Sequence, residues 1–191
     1  AHAGEVEIFE DPSAKGGAFA NMYEGTDTSY GKITNGKLHA VIDSGSVITF
    51  YHEDGRVLLK EHFRRLRDEE SMPLNIMGRE YSNGVGDNFR IVARFVARKG
   101  EKILGIGQYQ QHELDLKGCM LELAQRNSQV SVPFYLSSIG YGFLWNNPGV
   151  GQVMFANNGT EWVTESGKEI DYLVIAGDTP AEIEENYMTL T

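Results

Sequence analysis

The chain has 191 residues, enough for a sizeable core, and its composition (41% hydrophobic, 23% charged) is that of an ordinary globular protein. Its 17 Lys and Arg against 27 Asp and Glu give a net charge of −10, which argues against nucleic-acid or anionic-membrane partners, since both need basic patches. The single cysteine, Cys119, permits no intramolecular disulfide and no cysteine-based zinc site, and its apolar surroundings predict a buried, inert thiol.

From the start, Ala1-His-Ala-Gly-Glu5 shows neither a basic nor an apolar leader pattern, so no signal peptide is expected. No apolar run approaches the ~18 residues of a membrane span, and a cytoplasmic setting is the expectation. Hairpin chemistry then recurs along the chain. Asn35-Gly36, Asp54-Gly55, Asn83-Gly84 and Asn158-Gly159 each separate apolar or alternating runs, as type I′ turns do. Strands are predicted at Lys37–Ile42, Ser46–His52, Arg56–Lys60, Phe89–Ala97, Lys102–Ile106, Cys119–Gln125, Val132–Leu136, Gly142–Trp145, Gln152–Ala156, Glu161–Thr164 and Ile170–Ala176.

Phe89–Ala97 is the clearest of them. Phe89, Ile91, Ala93 and Phe95 fall on one face, and Arg90, Arg94 and Val92 on the other, the pattern of a strand covered on one side. Tyr172–Ala176 is apolar on both faces and reads as a central strand. Leu59–Glu70 is charged and reads as helix or loop, and Ser71–Asn88 as the least regular region. Thr179-Pro-Ala-Glu182 is a capping box with proline at the first helical position, and Ile183, Tyr187 and Leu190 then share one face. Many short strands and one terminal helix predict an all-β fold, an antiparallel β-sandwich forming a single domain over 1–191.

Few motifs carry chemistry unaided. Gly105-Ile-Gly107 lacks the third glycine and the following helix of a dinucleotide fingerprint, and reads as a strand bend. His112-Glu-Leu-Asp115 offers no second histidine at metal spacing and reads as a solvated loop. Glu113, Asp115 and Glu122 are the nearest carboxylates for a glycosidase pair, but their spacing does not distinguish them from surface charge. Asn158-Gly-Thr160 has the form of a glycosylation sequon and also of a turn. The aromatics Phe50, Tyr51, Phe134, Tyr135, Tyr141, Phe143 and Trp145 alternate within strands, as core residues do. No cofactor and no metal is expected.

Four segments in order carry a resemblance. They are Ile48–Leu59 with its aromatic strand and Asp-Gly turn, Glu101–Gln108 ending in Gly-Ile-Gly-Gln, Pro133-Phe-Tyr through Asn146-Asn147, and Asp171-Tyr through Ala176-Gly-Asp-Thr-Pro180. Together, over about residues 30 to 191, they resemble the retaining α-glycosidases of glycoside hydrolase family 31. Gln108 stands where that family usually has Glu.

The resemblance implies a galactose-mutarotase-like β-sandwich, with the helix over about 180–190 leading to a (β/α)₈ barrel. It places both catalytic aspartates in that barrel, so no catalytic residue is expected before Thr191. It implies a non-catalytic domain of an α-glucosidase or α-xylosidase, with its own barrel and an α-linked oligosaccharide or glycoside as partners. It also implies a sugar-facing loop: Gln125-Arg-Asn127 occupies the place of the family's Asn-Arg-Asp segment, with Asn127 for Asp. Arg126, Asn127 and Gln110 are therefore the candidate substrate-binding residues. An ordinary strand-end loop is the alternative for Arg126 and Asn127. At the level of the whole chain, the alternatives are a stand-alone carbohydrate-binding module and a mutarotase-like epimerase. The epimerase needs a His base beside a carboxylate, and the five histidines show no such pair in sequence.

Overall fold

The computed structural model describes residues 19–23, 30–43, 45–65 and 75–191. Five strands form an antiparallel meander in chain order: β1 (Phe19–Tyr23), β2 (Tyr30–Asn35), β3 (Leu38–Ile42), β4 (Ile48–His52) and β5 (Val57–Lys60). β6 (Arg64–Arg65) and β7 (Asn75–Ile76) make a short ribbon. The remaining strands are β8 (Arg79–Asn83), β9 (Phe89–Phe95), β10 (Ile103–Gln108), β11 (Met120–Leu123), β12 (Val130–Ser137), β13 (Tyr141–Trp145), β14 (Gly151–Phe155), β15 (Thr160–Gly167) and β16 (Tyr172–Ala176). They form two sheets, ordered β10-β12-β13-β16 and β11-β14-β15-β9-β8, and α1 (Pro180–Leu190) follows.

The two sheets close on an aromatic core. Tyr135 and Phe143 of one sheet stack with Trp162 of the other at 6.1 and 5.1 Å between ring centroids, and Phe95 meets Phe143 edge-on at 5.3 Å. Ile91 and Ala93 join Phe95 in this core, as the alternation predicts. Each such side chain contributes on the order of 1.5–3 kcal/mol when fully buried. The meander joins the sandwich where β5 runs on beside β9. A bridge pairs Glu61 with Phe95, and His62 N–H donates to Arg94 O at 2.8 Å. The Glu61 carboxylate is buried there. It accepts from Ile48 N–H at 2.9 Å and lies 3.2 Å from Arg79 Nε, while burial pushes its ionisation upward.

Each predicted strand is present, and the all-β expectation holds. Several details differ. Leu59–Glu70 is not a helix in its described part: strand β5 runs to Lys60, and Arg64–Arg65 is a strand, with 66–70 outside the described residues. Ser71–Asn88 contains β7 and β8, with 71–74 outside the described residues. β16 is an edge strand, not a central one. It is apolar on both faces because Tyr172 and Val174 point to the core while α1 packs on the other side.

The four turns lie in hairpins, but none is type I′. Between Asn35 and Leu38 only Gly36 has positive φ (54°), the first-position signature of type II′. At Asp54-Gly55 the loop closes by Gly55 N–H to His52 O, with Gly55 at φ 87°, a type I turn followed by a glycine bulge. At Asn83-Gly84 the positive φ falls on Gly86, and at Asn158-Gly159 on neither residue.

The terminal helix follows its sequence signal. Thr179 Oγ1 accepts from Glu182 N–H at 3.2 Å, and Ile183 is buried with Tyr187 and Leu190 half-buried. Glu182 reaches back to Asp178 N–H at 2.8 Å, one residue earlier than in a strict capping box. Lys37 of the β2–β3 turn clamps Asp178 and Glu182 at 2.5 Å each and holds both carboxyls below their usual range.

Candidate functional site

One end of the sandwich is shaped by β10. Gly105, Ile106 and Gly107 hold φ values of 125°, 67° and 95° in succession, and the register against β12 slips between Gly105 and Gly107. A Cβ on Gly107 would lie 2.2 Å from Val130 O, so the bend and the close approach both require glycine. The bulge drives Ile106 wholly into the core and sends the chain out to Tyr109. Tyr109 Oη lies 2.9 Å from Glu122 O and 2.8 Å from Ser131 Oγ, which pins the outgoing loop to the ends of β11 and β12.

The link between those two strands is the tight turn that carries Arg126 and Asn127. Gln129 N–H donates to Arg126 O at 3.1 Å, and Ser128 holds φ 68°, a position that glycine or asparagine usually fills. Gln125 locks the base of the turn: its Nε2 donates to Ser131 O at 2.7 Å and its Oε1 accepts from Ser131 N–H at 3.0 Å. Arg126 pairs with Glu122. Asn127 is exposed, and so is Gln110 next to the anchored Tyr109. Tyr109 and Arg126 both meet Glu122, so the structure brings the three predicted residues to one end of the sandwich.

Beside this turn a groove of about 1180 Å³ opens, lined by Gln125, Pro133, Asn147, Asp171, Tyr187 and Thr191 among others. Asn146 holds Asp171 through a 2.5 Å side-chain hydrogen bond, and Asn147 donates to Glu169 O at 3.2 Å. Sequence reading placed Asn146-Asn147 in a motif but did not connect them with Asp171 and Tyr187. Only the fold brings these residues together, and no spacing signals it. The groove offers amides, a carboxylate and an aromatic ring, a set suited to hydroxyl groups.

A second polar cluster, around Glu101, is buried. Glu101 accepts from Ser137 Oγ at 2.6 Å and Tyr141 Oη at 2.9 Å, and lies 3.4 Å from Lys117 Nζ. Tyr135 Oη meets Tyr141 Oη at 3.0 Å, and burial raises both phenols far above their usual range. His52 does meet carboxylates, with Nδ1 3.1 Å from Asp54 and Nε2 3.3 Å from Asp178, the latter without hydrogen-bond alignment. Its side chain is only 3% exposed, so it opens on no sugar-sized space and does not serve an epimerase as base.

Asp115 accepts from Ile103 and Lys117 N–H groups, which marks it as a structural carboxylate. Cys119 is half-buried rather than buried, and partial burial, with Glu113 and Asp115 near, raises its thiol, so it stays a poor nucleophile. Among the described residues no three His, Cys, Asp or Glu side chains converge as a metal ligand set, and no helix is long and apolar enough to cross a membrane.

No family model matches the chain. It is 44% identical over 170 residues to an uncharacterized family 31 glucosidase of Pseudescherichia vulneris, a match that covers 83% of this chain and 32% of that protein. It is 34% identical over 112 residues to an α-xylosidase of Saccharolobus solfataricus, over 54% of this chain and 15% of that one. Among solved structures, a family 31 α-xylosidase from a soil metagenome, complexed with xylose, superposes with a TM-score of 0.80 at 43% identity, over 93% of this chain and 27% of that chain. The chain thus spans about a third or less of the length of the relatives it matches. In sequence and in fold it belongs to glycoside hydrolase family 31, matching as a β-sandwich only a part of those proteins.

Proposed function

We propose that the protein to which this domain belongs is a retaining α-glycosidase that acts on α-xylosides. In this reading the domain supports the catalytic barrel and lines one side of the sugar pocket. The observation that carries the proposal is the likeness to the soil-metagenome α-xylosidase, at 43% identity over 93% of this chain. The turn geometry supports it: Gln125 and Tyr109 fix the backbone, and Asn127 and Gln110 keep exposed amides to offer to sugar hydroxyls. Arg126, paired with Glu122, adds a charge-assisted donor at the same rim.

The test is turnover by the full-length protein on aryl α-xyloside and aryl α-glucoside. A higher kcat/KM on the xyloside is expected. A higher value on the glucoside would make the protein an α-glucosidase, and no turnover of either would remove the proposed activity.

A further inference from the structure

The chain contains three Asn-Gly pairs, Asn35-Gly36, Asn83-Gly84 and Asn158-Gly159. An asparagine followed by glycine carries its own reaction. The backbone nitrogen of the glycine can attack the asparagine side-chain carbonyl, because no Cβ shields that nitrogen. The attack has two requirements. The asparagine backbone must turn until the nitrogen reaches Cγ, and the glycine N–H must not be held in a hydrogen bond.

The fold meets these requirements unevenly. Asn35 is the last residue of β2 and pairs with Leu38, and Asn83 is the last of β8 and pairs with Phe89. Both would have to leave their ladders. Gly84 is held as well: its N–H donates to Asn88 O at 3.0 Å, and a Cβ there would meet the same oxygen at 2.8 Å. Asn158 belongs to no strand. It is exposed in the loop between Phe155 of β14 and Thr160 of β15, and among the described residues neither its side chain nor Gly159 N–H has a hydrogen-bond partner. A Cβ on Gly159 would touch only Phe95 O, at an ordinary 3.5 Å, and Gly159 does not hold a positive φ. The backbone leaves room around this glycine and does not itself require it. The groove-lining residues Gly149, Val150 and Ser166 lie at the other end of the β14–β15 ladder, so this loop is at the end of the sandwich away from the groove.

We propose that Asn158 is a site of spontaneous deamidation, the one of the three that converts in the folded protein. Gly159 N gives up its proton to solvent base and attacks Asn158 Cγ. A new C–N bond forms, and the carboxamide nitrogen leaves as ammonia. Water then opens the resulting succinimide at either carbonyl. One opening yields aspartate at position 158, and the other yields isoaspartate, whose main chain runs through the former side chain. No oxidant, metal or enzyme takes part. Both products take the net charge of −10 one unit further negative. Isoaspartate also adds one backbone carbon to a loop whose flanks are tied, since Gly118 N–H donates to Phe155 O at 2.7 Å and Thr160 pairs with Phe95.

The test is incubation of the purified protein in weakly alkaline buffer, with and without urea, after production in a bacterial host so that the sequon at Asn158 carries no glycan. Conversion at each asparagine is followed by peptide mass spectrometry, and isoaspartate by methylation with an isoaspartyl methyltransferase. In the folded protein Asn158 is expected to convert about tenfold faster than Asn83, the value of the hydrogen bond that must first break at Gly84 N–H. In urea the three sites should converge, because each is followed by glycine. Gly159→Ala should slow conversion at position 158 by at least as much, with the circular dichroism of the fold unchanged.

Asn35 or Asn83 converting as fast as Asn158 in the folded protein overturns the inference. So does an order of rates that persists unchanged in urea, which would assign it to the sequence alone, and so does an Asn158 that converts only in urea. Should Gly159→Ala fail to fold, the comparison of folded and urea-treated wild type decides by itself.

Discussion

The two ends of β12 treat polar side chains in opposite ways. At the C-terminal end, Ser137 and Tyr135 enter the knot around Glu101, whose side chain is 3% exposed and whose oxygens are met by two hydroxyls and an ammonium group. At the N-terminal end, the turn before Val130 holds its backbone with Gln125 and leaves Asn127 in solvent. A buried carboxylate is tolerated only when its oxygens are satisfied, so such a group has nothing left to offer a ligand. An exposed amide on a fixed backbone keeps its donors and acceptors. Burial and partner count, more than residue type, separate residues that hold the fold from residues available to a sugar.

That contrast is open to direct test. Glu101→Ala should have the largest effect, a loss of about 3 kcal/mol in urea unfolding of the 191-residue chain, because Lys117 and two hydroxyls lose their buried partner. A cost under about 0.5 kcal/mol would show that water replaces the carboxylate and that the knot does not hold the fold. Tyr141→Phe removes one hydroxyl from the same knot and should cost about 1–2 kcal/mol, leaving Ser137 and Lys117 on Glu101. Asn127→Ala should change stability by less than about 0.5 kcal/mol. In the full-length enzyme the same change should lower kcat/KM on α-xyloside by up to about tenfold, the value of one hydrogen bond to a bound hydroxyl. Unchanged kinetics would remove Asn127 from the pocket and leave the turn with a structural role.

The sequence carried the strands wherever one face is buried. Phe89–Phe95 alternates because Ile91, Ala93 and Phe95 enter the core while Arg90 and Arg94 pair across neighbouring strands. The helix was legible from Thr179-Pro180, since capping is a local interaction. β8 was not: Arg79–Asn83 is an edge strand with every residue exposed, so no apolar period marks it. β16 was read as central because apolarity on both faces does not say whether a strand or a helix covers the second face. Arg126, Asn127 and Gln110 rest on the family resemblance, while their shared end of the sandwich depends on the Gly105–Gly107 bulge and on Tyr109, contacts set by tertiary structure. The pairing of Gln125 with Ser131 was equally invisible, because the strand break that makes it possible depends on the sheet change between β11 and β12.

The chain's two tryptophans sit one in each sheet of the sandwich, Trp145 on β13 and Trp162 on β15. Both are buried, and their rings lie 5.7 Å apart at 22°. Two indoles so placed couple their excited states, and the coupling falls steeply with separation. The near- and far-ultraviolet circular dichroism of this chain therefore carries a built-in ruler of the gap between the sheets. A state that kept its strands but let the layers drift apart would lose the coupled band before its strand signal, and would be visible without any added label.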